Sequence, residues 1–199
     1  TITMLADATH GVAATASSGG GSLVVTIADL DVSVTDSGSA NVRIGAASGG
    51  VGSIIKTTGV GGFNVDAHLD TKVKSESEAL AFSLVAGVPV VNSIALNEAK
   101  ATGQIGDKVN IDVQQGDFDM LVDLVGVARG AAAATAVSGV SVTSSTTDVD
   151  FNADVTLTVG TNAKIGASSG SGSVNIAGHL NYDDPATPLV NEGFLTQMD

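Results

Sequence analysis

Residues 146–160, TTDVDFNADVTLTVG, carry two superimposed patterns with a period of two residues. One pattern places oxygen-bearing side chains at alternate positions, as in a loop that binds Ca²⁺: Asp148, Asp150, Asn152 and Asp154. The other places apolar side chains at the intervening positions from Val149 to Val159, as in a half-buried strand. A helix-flanked Ca²⁺ loop has Gly at its sixth position and Glu at its twelfth, where this segment has Ala153 and Val159. The segment is therefore predicted to be a strand.

Such a strand projects its acidic residues to one side. Stacking of parallel strands would place them beside Asp117, Asp119 or Asp123 of another coil. Like charges about 5 Å apart repel each other unless an ion or an amide lies between them. The sequence accordingly predicts a candidate Ca²⁺ site at Asp148, Asp150, Asn152 and Asp154, and no other cofactor. The alternative is a staggered, solvated acidic face.

The same alternation of apolar and polar residues recurs along the chain, at 63–70, 109–114 and 117–123. These segments are predicted to be strands with one wet face. The apolar parity changes at Asp29, which predicts a corner or bulge there. Clusters of Gly and Ser at 17–22, 48–53 and 168–173 are predicted to be turns.

Internal repetition is the strongest signal in the sequence. The motif NVRIGA at 41–46 returns as TGQIGD at 102–107 and as NAKIGA at 162–167, so that the Ile-Gly pair recurs after 105 − 44 = 61 and 165 − 105 = 60 residues. A second motif, FNVD at 63–66, is echoed by VNID at 109–112 and VNIA at 174–177. Its asparagines, Asn64, Asn110 and Asn175, are predicted to form an amide ladder along one side, or else to be three separate exposed residues. His68 and His179 share a later position of this motif, with Gln114 between them, and are predicted to be solvated.

Short strands and a repeat of about sixty residues predict an all-β parallel β-helix, or β-solenoid, with about three coils of roughly twenty residues per repeat. Nine or ten coils at roughly 4.8 Å each would make a rod about 45 Å long. An antiparallel β-sandwich is the alternative, although it does not account for the repeat. We expect one elongated unit over 1–180, with repeats at roughly 13–73, 79–125 and 131–180, followed by a non-repetitive cap or linker over 181–199.

Two Ala-rich runs, 79–86 and 131–136, lie in segments that are apolar at both parities, 79–91 and 130–142. They are predicted to be strands covered on both sides or, alternatively, short helices. The glycines at Gly87, Gly130 and Gly139 and the valines near them favour strands. An uncovered face on such strands would present a smooth surface to another copy of the chain.

The motifs resemble those of a known family of repeats. An Ala-rich run leads into GVPVVNSI or GVSVTSST, then into QIGD or KIGA, and then into VNIDVQ or VNIAGH. This order is similar to the repeats of large secreted bacterial surface proteins, the filamentous-haemagglutinin-like and autotransporter-like adhesins, over most of residues 13–180. The resemblance implies a non-catalytic β-solenoid shaft that holds adhesive regions away from the cell, at an extracellular or cell-surface location.

Composition narrows the range of partners. The net charge is −13 and the eight Lys and Arg residues are scattered, so a nucleic-acid partner is not expected. The most apolar stretch, 121–142, contains Asp123 and Arg129, which argues against a membrane span. The chain begins at Thr1, from which we expect a fragment or processed product of something longer, and its lack of cysteine suits a bacterial surface protein. Further repeats of the same polypeptide, or other copies joined through the ends or the Ala-rich strands, are the expected partners.

No catalytic pattern is recognisable in the sequence. The serines lack a G-x-S-x-G elbow, and the glycine-rich stretches GVGG and SGGGS lack the lysine of a phosphate-binding loop. We therefore expect a structural protein and not an enzyme. A self-assembling extracellular filament or surface-layer subunit and a glycan-binding β-helix module are the alternatives.

Overall fold

The computed structural model describes residues 1–46, 49, 51–168, 170 and 172–181. Strands make up 74% of this part of the chain and it contains no helix, which confirms the all-β prediction. Both Ala-rich runs are strands: residues 79–83 lie in the fifth strand and 131–136 in the ninth. The helical alternative for these runs is therefore wrong.

The strands follow one another in three similar sets, each opened by a strand of twenty or twenty-one residues, before a fourth set begins. The first two sets are β1 (Ile2–Ser22), β2 (Val25–Asp36), β3 (Ser39–Ile44), β4 (Ile54–Lys56), and β5 (Phe63–Ser83), β6 (Ala86–Asn97), β7 (Lys100–Ile105), β8 (Asn110–Asp112). The third set and the start of the fourth are β9 (Phe118–Val137), β10 (Val140–Ser141), β11 (Ser144–Phe151), β12 (Asp154–Val159), β13 (Lys164–Gly166), and β14 (Val174–Leu180).

Corresponding strands of successive sets pair in parallel and form four sheets. Sheet A contains β1, β5, β9 and β14 in that order, and in sheet B β6 lies between β2 and the pair β10 and β11. Sheet C contains β3, β7 and β12, and sheet D contains β4, β8 and β13. Every strand pair in the described residues is parallel, so the antiparallel sandwich is wrong.

The register shows how much chain separates hydrogen-bonded neighbours. Ile2 pairs with Phe63 and Phe63 with Phe118, separations of 63 − 2 = 61 and 118 − 63 = 55 residues. The predicted twenty-residue coil is therefore wrong, because one pass through the four sheets uses a whole repeat. Three passes at roughly 4.8 Å each give a height of about 15 Å instead of 45 Å, whereas a 21-residue strand alone is about 70 Å long.

Two of the sequence motifs are also out of register in the structure. Ile105 pairs with Val159, and Ile165 pairs with Ile111 in sheet D, so KIGA is not the third copy of QIGD. The counterpart of Phe63 is Phe118 and not Val109. The first repeat has nine residues between Ile44 and Ile54, whereas the second has four between Ile105 and Asn110, so spacing from the Ile-Gly pair does not identify equivalent strands.

The core lies between sheet A on one side and sheets B and C on the other. The alternate residues of β5 that begin with Phe63 face inward, and the main apolar cluster contains Phe63, Leu69, Ile105, Phe118 and Leu124. Phe63 and Phe118 are stacked neighbours, at most 1% exposed, with ring centroids 5.6 Å apart. Two smaller clusters centred on Val73 and Val91 continue the core toward the turns that join each long strand (β1, β5 and β9) to the strand that follows it (β2, β6 and β10), which we call its return strand.

The predicted corner at Asp29 is not formed. Inward-facing residues of β2 keep a single parity from Thr26 to Asp36, and β2 is one continuous strand. Val25 and Ile27 belong to the opposite parity because they face solvent, with exposed fractions of 49% and 71%. The apparent change of parity is therefore an exposed apolar pair.

Candidate functional site

The opening segment forms strands, as predicted. Residues 144–151 form β11 and 154–159 form β12, with a break at Asn152 and Ala153. The amide of Asn152 donates to Asp150 Oδ2 at 2.8 Å, and the Thr156 hydroxyl donates to Asp154 Oδ2 at 3.0 Å. These exposed carboxylates are thus held by side chains of their own strand segment.

The structure does not bring the predicted Ca²⁺ ligands beside the other acidic residues. Asp148 stacks on Ile94, Asp150 on Leu96 and Asp154 on Lys100, whereas Asp119 and Asp123 lie in sheet A. Across the described ranges, no group of three or more His, Asp and Glu side chains is placed to hold a metal ion. The expected acidic neighbours are absent because β11 stacks on β6 of sheet B and not on β9 of sheet A. Ca²⁺ binding by the four residues themselves stays a prediction.

The predicted asparagine ladder is also not formed. Asn64 pairs with Asp119, which in turn pairs with Asn175, so an aspartate separates the two amides. Asn110 lies in β8 of sheet D. The three residues share a sequence motif, but they are not stacked on one another.

An alternating row of acids and histidines crosses the outer face of sheet A instead. Asp7 pairs with His68, His68 with Asp123, and Asp123 with His179. The Nδ1 atom of His68 is 3.0 Å from Asp123 Oδ2, and its Nε2 atom is 3.4 Å from Asp70 Oδ1. We call Asp7, His68, Asp123 and His179 the Asp–His row. Asp123, and not Gln114, lies between the two histidines.

Sequence reasoning missed this row, although a signal for it exists. His68, Asp123 and His179 each lie five residues after the first residue of their strand, which is Phe63, Phe118 or Val174. An alignment anchored on the starts of the long strands would have found the row. The Ile-Gly motif does not reveal the row, because a connection of variable length separates it from the start of the next long strand.

Asp66 lies beside the Asp–His row in a less polar position. Its stacked neighbours in the outer face of sheet A are Leu5 and Leu121. Burial, together with the negative charge of Asp119, raises the pKa of the Asp66 carboxyl above its ordinary value. At neutral pH, repulsion between the Asp66 and Asp119 carboxylates therefore weakens this part of sheet A.

Three aspartates of the second repeat tie together the loops that connect the repeats. Asp107 accepts backbone hydrogen bonds from Gly49 and Thr161, at 3.1 and 2.8 Å, and so joins loops of the first and third repeats. Asp117 accepts from both the backbone nitrogen and the hydroxyl of Ser173, at 2.8 and 2.7 Å. These bonds cross between layers at the edge where sheet D lies.

Asp112 makes a similar set of contacts at the same edge. It accepts backbone hydrogen bonds from Gln114 at 3.0 Å and Ser168 at 3.2 Å, and Lys56 Nζ lies 3.4 Å from it. The hydrogen bonds from Ser168, followed by that from Gln114, lower the pKa of Asp112 to about 2. The pKa values of Asp107 and Asp117 are lowered by their bonds to Gly49 and Ser173 respectively. We call Asp107, Asp112 and Asp117 the loop carboxylates.

A polar layer crosses the interior at the corner between sheets B and C. Buried Asp36 accepts hydrogen bonds from the Thr71 hydroxyl and from the Gly38 backbone at 2.9 Å. Asn97 takes the same place in the second repeat and accepts from the Ala99 backbone at 3.1 Å. The layer fixes the corner because each side chain satisfies the backbone group that follows the end of its own strand.

The third repeat fills the same place with an apolar side chain. Phe151 pairs with Asn97, and it lies against Gly126 of sheet A, which replaces Thr71. A Cβ atom added at Gly126 would lie 2.9 Å from the Phe151 ring, so only glycine leaves room for that ring. The polar pair of one layer and the glycine and aromatic pair of the next are thus alternative solutions for one interior position.

The described residues contain no helix long and apolar enough to cross a membrane. Comparison of the chain with protein-family models, with curated proteins and with solved structures finds no significant match.

Proposed function

We propose that the chain is a structural shaft segment of an extracellular bacterial adhesin or surface fibre, and that its four sheets form a β-solenoid with one turn per repeat. The in-register parallel pairing of each strand with its counterpart in the next repeat carries this proposal. In a solenoid, each repeat contacts only its neighbours, so that length is gained by adding repeats.

The contacts between repeats support a mechanical role. Interstrand hydrogen bonds run along the stacking direction in all four sheets, and the Phe63 and Phe118 rings pack between layers. The loop carboxylates join the loops at one edge, for example through the bonds of Asp107 to Gly49 and Thr161. Stretching the stack along this direction would have to break many of these bonds together.

Open strand edges at the two ends support growth by further repeats. In the described residues β1 is the first strand of sheet A and β14 is the last, so each has one unpaired side. Exposed strand edges pair readily with additional strands. A longer polypeptide would satisfy both edges with its preceding and following repeats, as the resemblance to adhesin repeats implies.

The proposed location can be tested on the producing cells. Antibodies raised against the isolated chain are expected to label intact cells, and brief treatment of those cells with an external protease should release the labelled fragment. Labelling that requires permeabilised cells would contradict an extracellular shaft.

A self-assembling filament subunit is the second candidate function. Residues 174–180 of β14 occupy the same sheet positions as residues 2–8 of β1, so pairing of β14 with β1 of another copy would continue sheet A. His179 would then lie beside Asp7 of that copy and extend the Asp–His row. Electron microscopy of the isolated chain separates the two candidates, because growing filaments favour the subunit and discrete particles favour the shaft segment.

A further inference from the structure

One end of every layer is free of charged residues. Residues 11–28, 79–97 and 130–147 contain no Asp, Glu, Lys or Arg, in a chain whose net charge is −13. Each segment includes the turn between a long strand and its return strand, at 22–25, 83–86 and 137–140. The parallel register stacks these three turns on one edge of the molecule, opposite the loop carboxylates.

This edge is rich in exposed apolar side chains. Leu84 and Leu23 lie at the turns themselves with exposed fractions of 67% and 76%, and Ile27 and Phe82 flank them on sheets B and A at 71% and 54%. We define the apolar edge as the large hydrophobic residues in these segments that surround the turns: Leu23, Val24, Val25, Ile27, Leu80, Phe82, Leu84, Val85, Val137, Val140 and Val142.

The size of the apolar edge exceeds what a monomer ordinarily exposes. Its eleven side chains are each 44–76% exposed. Together they present on the order of 1,000 Å² of surface, whereas the largest apolar patch of a typical monomer is about 300–600 Å². A standard protein interface buries about 800 Å² per partner, so this edge alone is large enough to hold two proteins together.

We propose that the apolar edge binds a second copy of this chain, so that two molecules pair edge to edge through a two-fold axis. The distribution of charge favours this partner. The nearest acidic residues along the strands are Glu78 and Asp29, six and five residues from Leu84 and Val24 at the turns and two residues from Leu80 and Ile27 at the rim of the edge. At about 3.3 Å per residue they lie roughly 15–20 Å from the turns at the centre of the edge. That distance is about twice the screening length of about 8 Å at physiological salt.

Two acidic molecules can therefore meet at this edge with little repulsion, whereas contact at other edges brings carboxylates together. A lipid surface fits less well, because the charge-free segments contain no Lys or Arg to attract anionic headgroups. The pairing goes beyond the proposed shaft function and rests on the fold alone. In a fibre it would join two shafts side by side.

The two-fold axis fixes which residues meet. The same patch on both molecules forms such an interface, and residues at its centre face their own copies. The second repeat is the middle of the three layers, so Leu84 at its turn lies near the centre of the apolar edge. Leu84 of one molecule is thus expected to lie close to Leu84 of the other.

The first experiment measures the mass of the full chain in solution by sedimentation velocity. We expect a pair of 19.5 kDa chains at micromolar concentration. The Leu23→Asp/Leu84→Asp variant should raise the dissociation constant by about a hundredfold or more, since charges would be buried at the centre of the interface. Val51 and Val60, which are 95% and 83% exposed on the opposite edge, provide the control. The Val51→Asp/Val60→Asp variant has the same added charge and should pair like the original chain.

A second measurement locates the contact. The chain has no cysteine, so one introduced thiol is unique. The Leu84→Cys variant is expected to crosslink to a dimer with a short bis-maleimide reagent, whereas Val60→Cys should remain monomeric on a denaturing gel. Circular dichroism and melting temperature establish that each variant is folded, and Leu84→Cys keeps the test decisive if the aspartate variant does not fold.

Several outcomes would overturn the proposed pairing. The first is a chain that stays monomeric at about 100 µM. The second is an equal rise in the dissociation constant of the dimer for the two aspartate double variants, and the third is crosslinking of Val60→Cys in place of Leu84→Cys. Open-ended filaments that the Leu23→Asp/Leu84→Asp variant still forms would assign association to the strand ends. A monomer that cosediments with phosphatidylcholine vesicles through Leu23 and Leu84 would assign the edge to lipid. None of these results bears on surface labelling of cells, which tests the proposed function separately.

Discussion

The contact between Phe63 and Phe118 provides a quantitative test of the register. The two rings are at most 1% exposed, lie 5.6 Å apart and belong to paired positions 55 residues apart in sequence. Aromatic pairs of this geometry contribute about 0.5–1.5 kcal/mol beyond the area they bury. A Phe→Ala change in a core costs about 3–5 kcal/mol and would consume much of a domain's stability, so Phe→Leu is the better perturbation.

We expect Phe63→Leu and Phe118→Leu each to lower the free energy of unfolding by about 1–2 kcal/mol, between a conservative swap and a truncation to alanine. The double variant should lose less than the sum of the two, with a coupling of about 0.5–1.5 kcal/mol. Urea unfolding followed by circular dichroism measures all four corners of the cycle.

Val91 provides the control for this cycle. It is fully buried, but it lies in the cluster nearest the turns, far along the strands from Phe63. Phe63→Leu and Val91→Ala should therefore be additive within about 0.5 kcal/mol. Additive losses for Phe63 and Phe118 as well would refute the stacking of these two positions.

Three further predictions concern polar groups. Asp36→Ala should lower the free energy of unfolding by about 1–3 kcal/mol, because the Thr71 hydroxyl and the Gly38 nitrogen lose their acceptor. Asp36→Asn should lower it by less than about 1 kcal/mol, because Asn97 occupies the equivalent place in the second repeat. Chemical unfolding distinguishes the two variants. The loop carboxylates have pKa values below the ordinary 3.8 in the folded state, so their stabilisation is complete above that value and is lost as the pH falls toward about 2 for Asp112. Asp112→Asn should flatten the dependence of melting temperature on pH in this range, and an unchanged slope would contradict the role of Asp112. For Asp66 the sign is opposite, because its pKa is raised and ionisation therefore weakens the fold. Asp66→Asn should stabilise the protein at pH 7 by a few tenths to about 1 kcal/mol. The same variant should have no such effect at a pH where the Asp66 carboxyl is already protonated.

The strands of this protein could be predicted from the sequence because their side chains alternate between the core and water. Residues 63–70 show the pattern clearly: Phe63, Val65, Ala67 and Leu69 are buried, and the residues between them are partly exposed. Repetition at about sixty residues likewise indicated strands that stack in parallel. A single sequence is sufficient to reveal both signals, because alternation is visible within one strand and repetition is visible when segments of the same chain are compared.

The extent of the strands could not be predicted in the same way. The Gly and Ser cluster at 17–22 indicated a turn, yet β1 runs through it to Ser22. A Cβ atom at Gly20 would lie 2.9 Å from Thr26 Cγ2, so glycine here serves the close approach of β1 to the return strand β2 and does not end β1. Composition alone does not distinguish a glycine that bends the chain from one that makes room for a neighbour.

The neighbours of the candidate site residues could not be predicted for a related reason. Which outward-facing residues become neighbours depends on the lengths of the connections between strands, and these differ by several residues between repeats. A misalignment of 119 − 110 = 9 residues placed Asn110 beside Asn64, where the structure has Asp119. The Asp–His row and the loop carboxylates depend on the same register and could not be found without it.

The most direct test of the fold introduces pairs of cysteines, because the chain has none of its own. Asn64 and Asp119 are paired on adjacent strands of sheet A, where Cα atoms about 4.8 Å apart are within the range that a disulfide spans. Under mild oxidation the Asn64→Cys/Asp119→Cys variant is expected to form an intramolecular disulfide, and Asn64→Cys/Asn110→Cys is not. Disulfide formation by the second variant but not by the first would contradict the stacking of one repeat on the next.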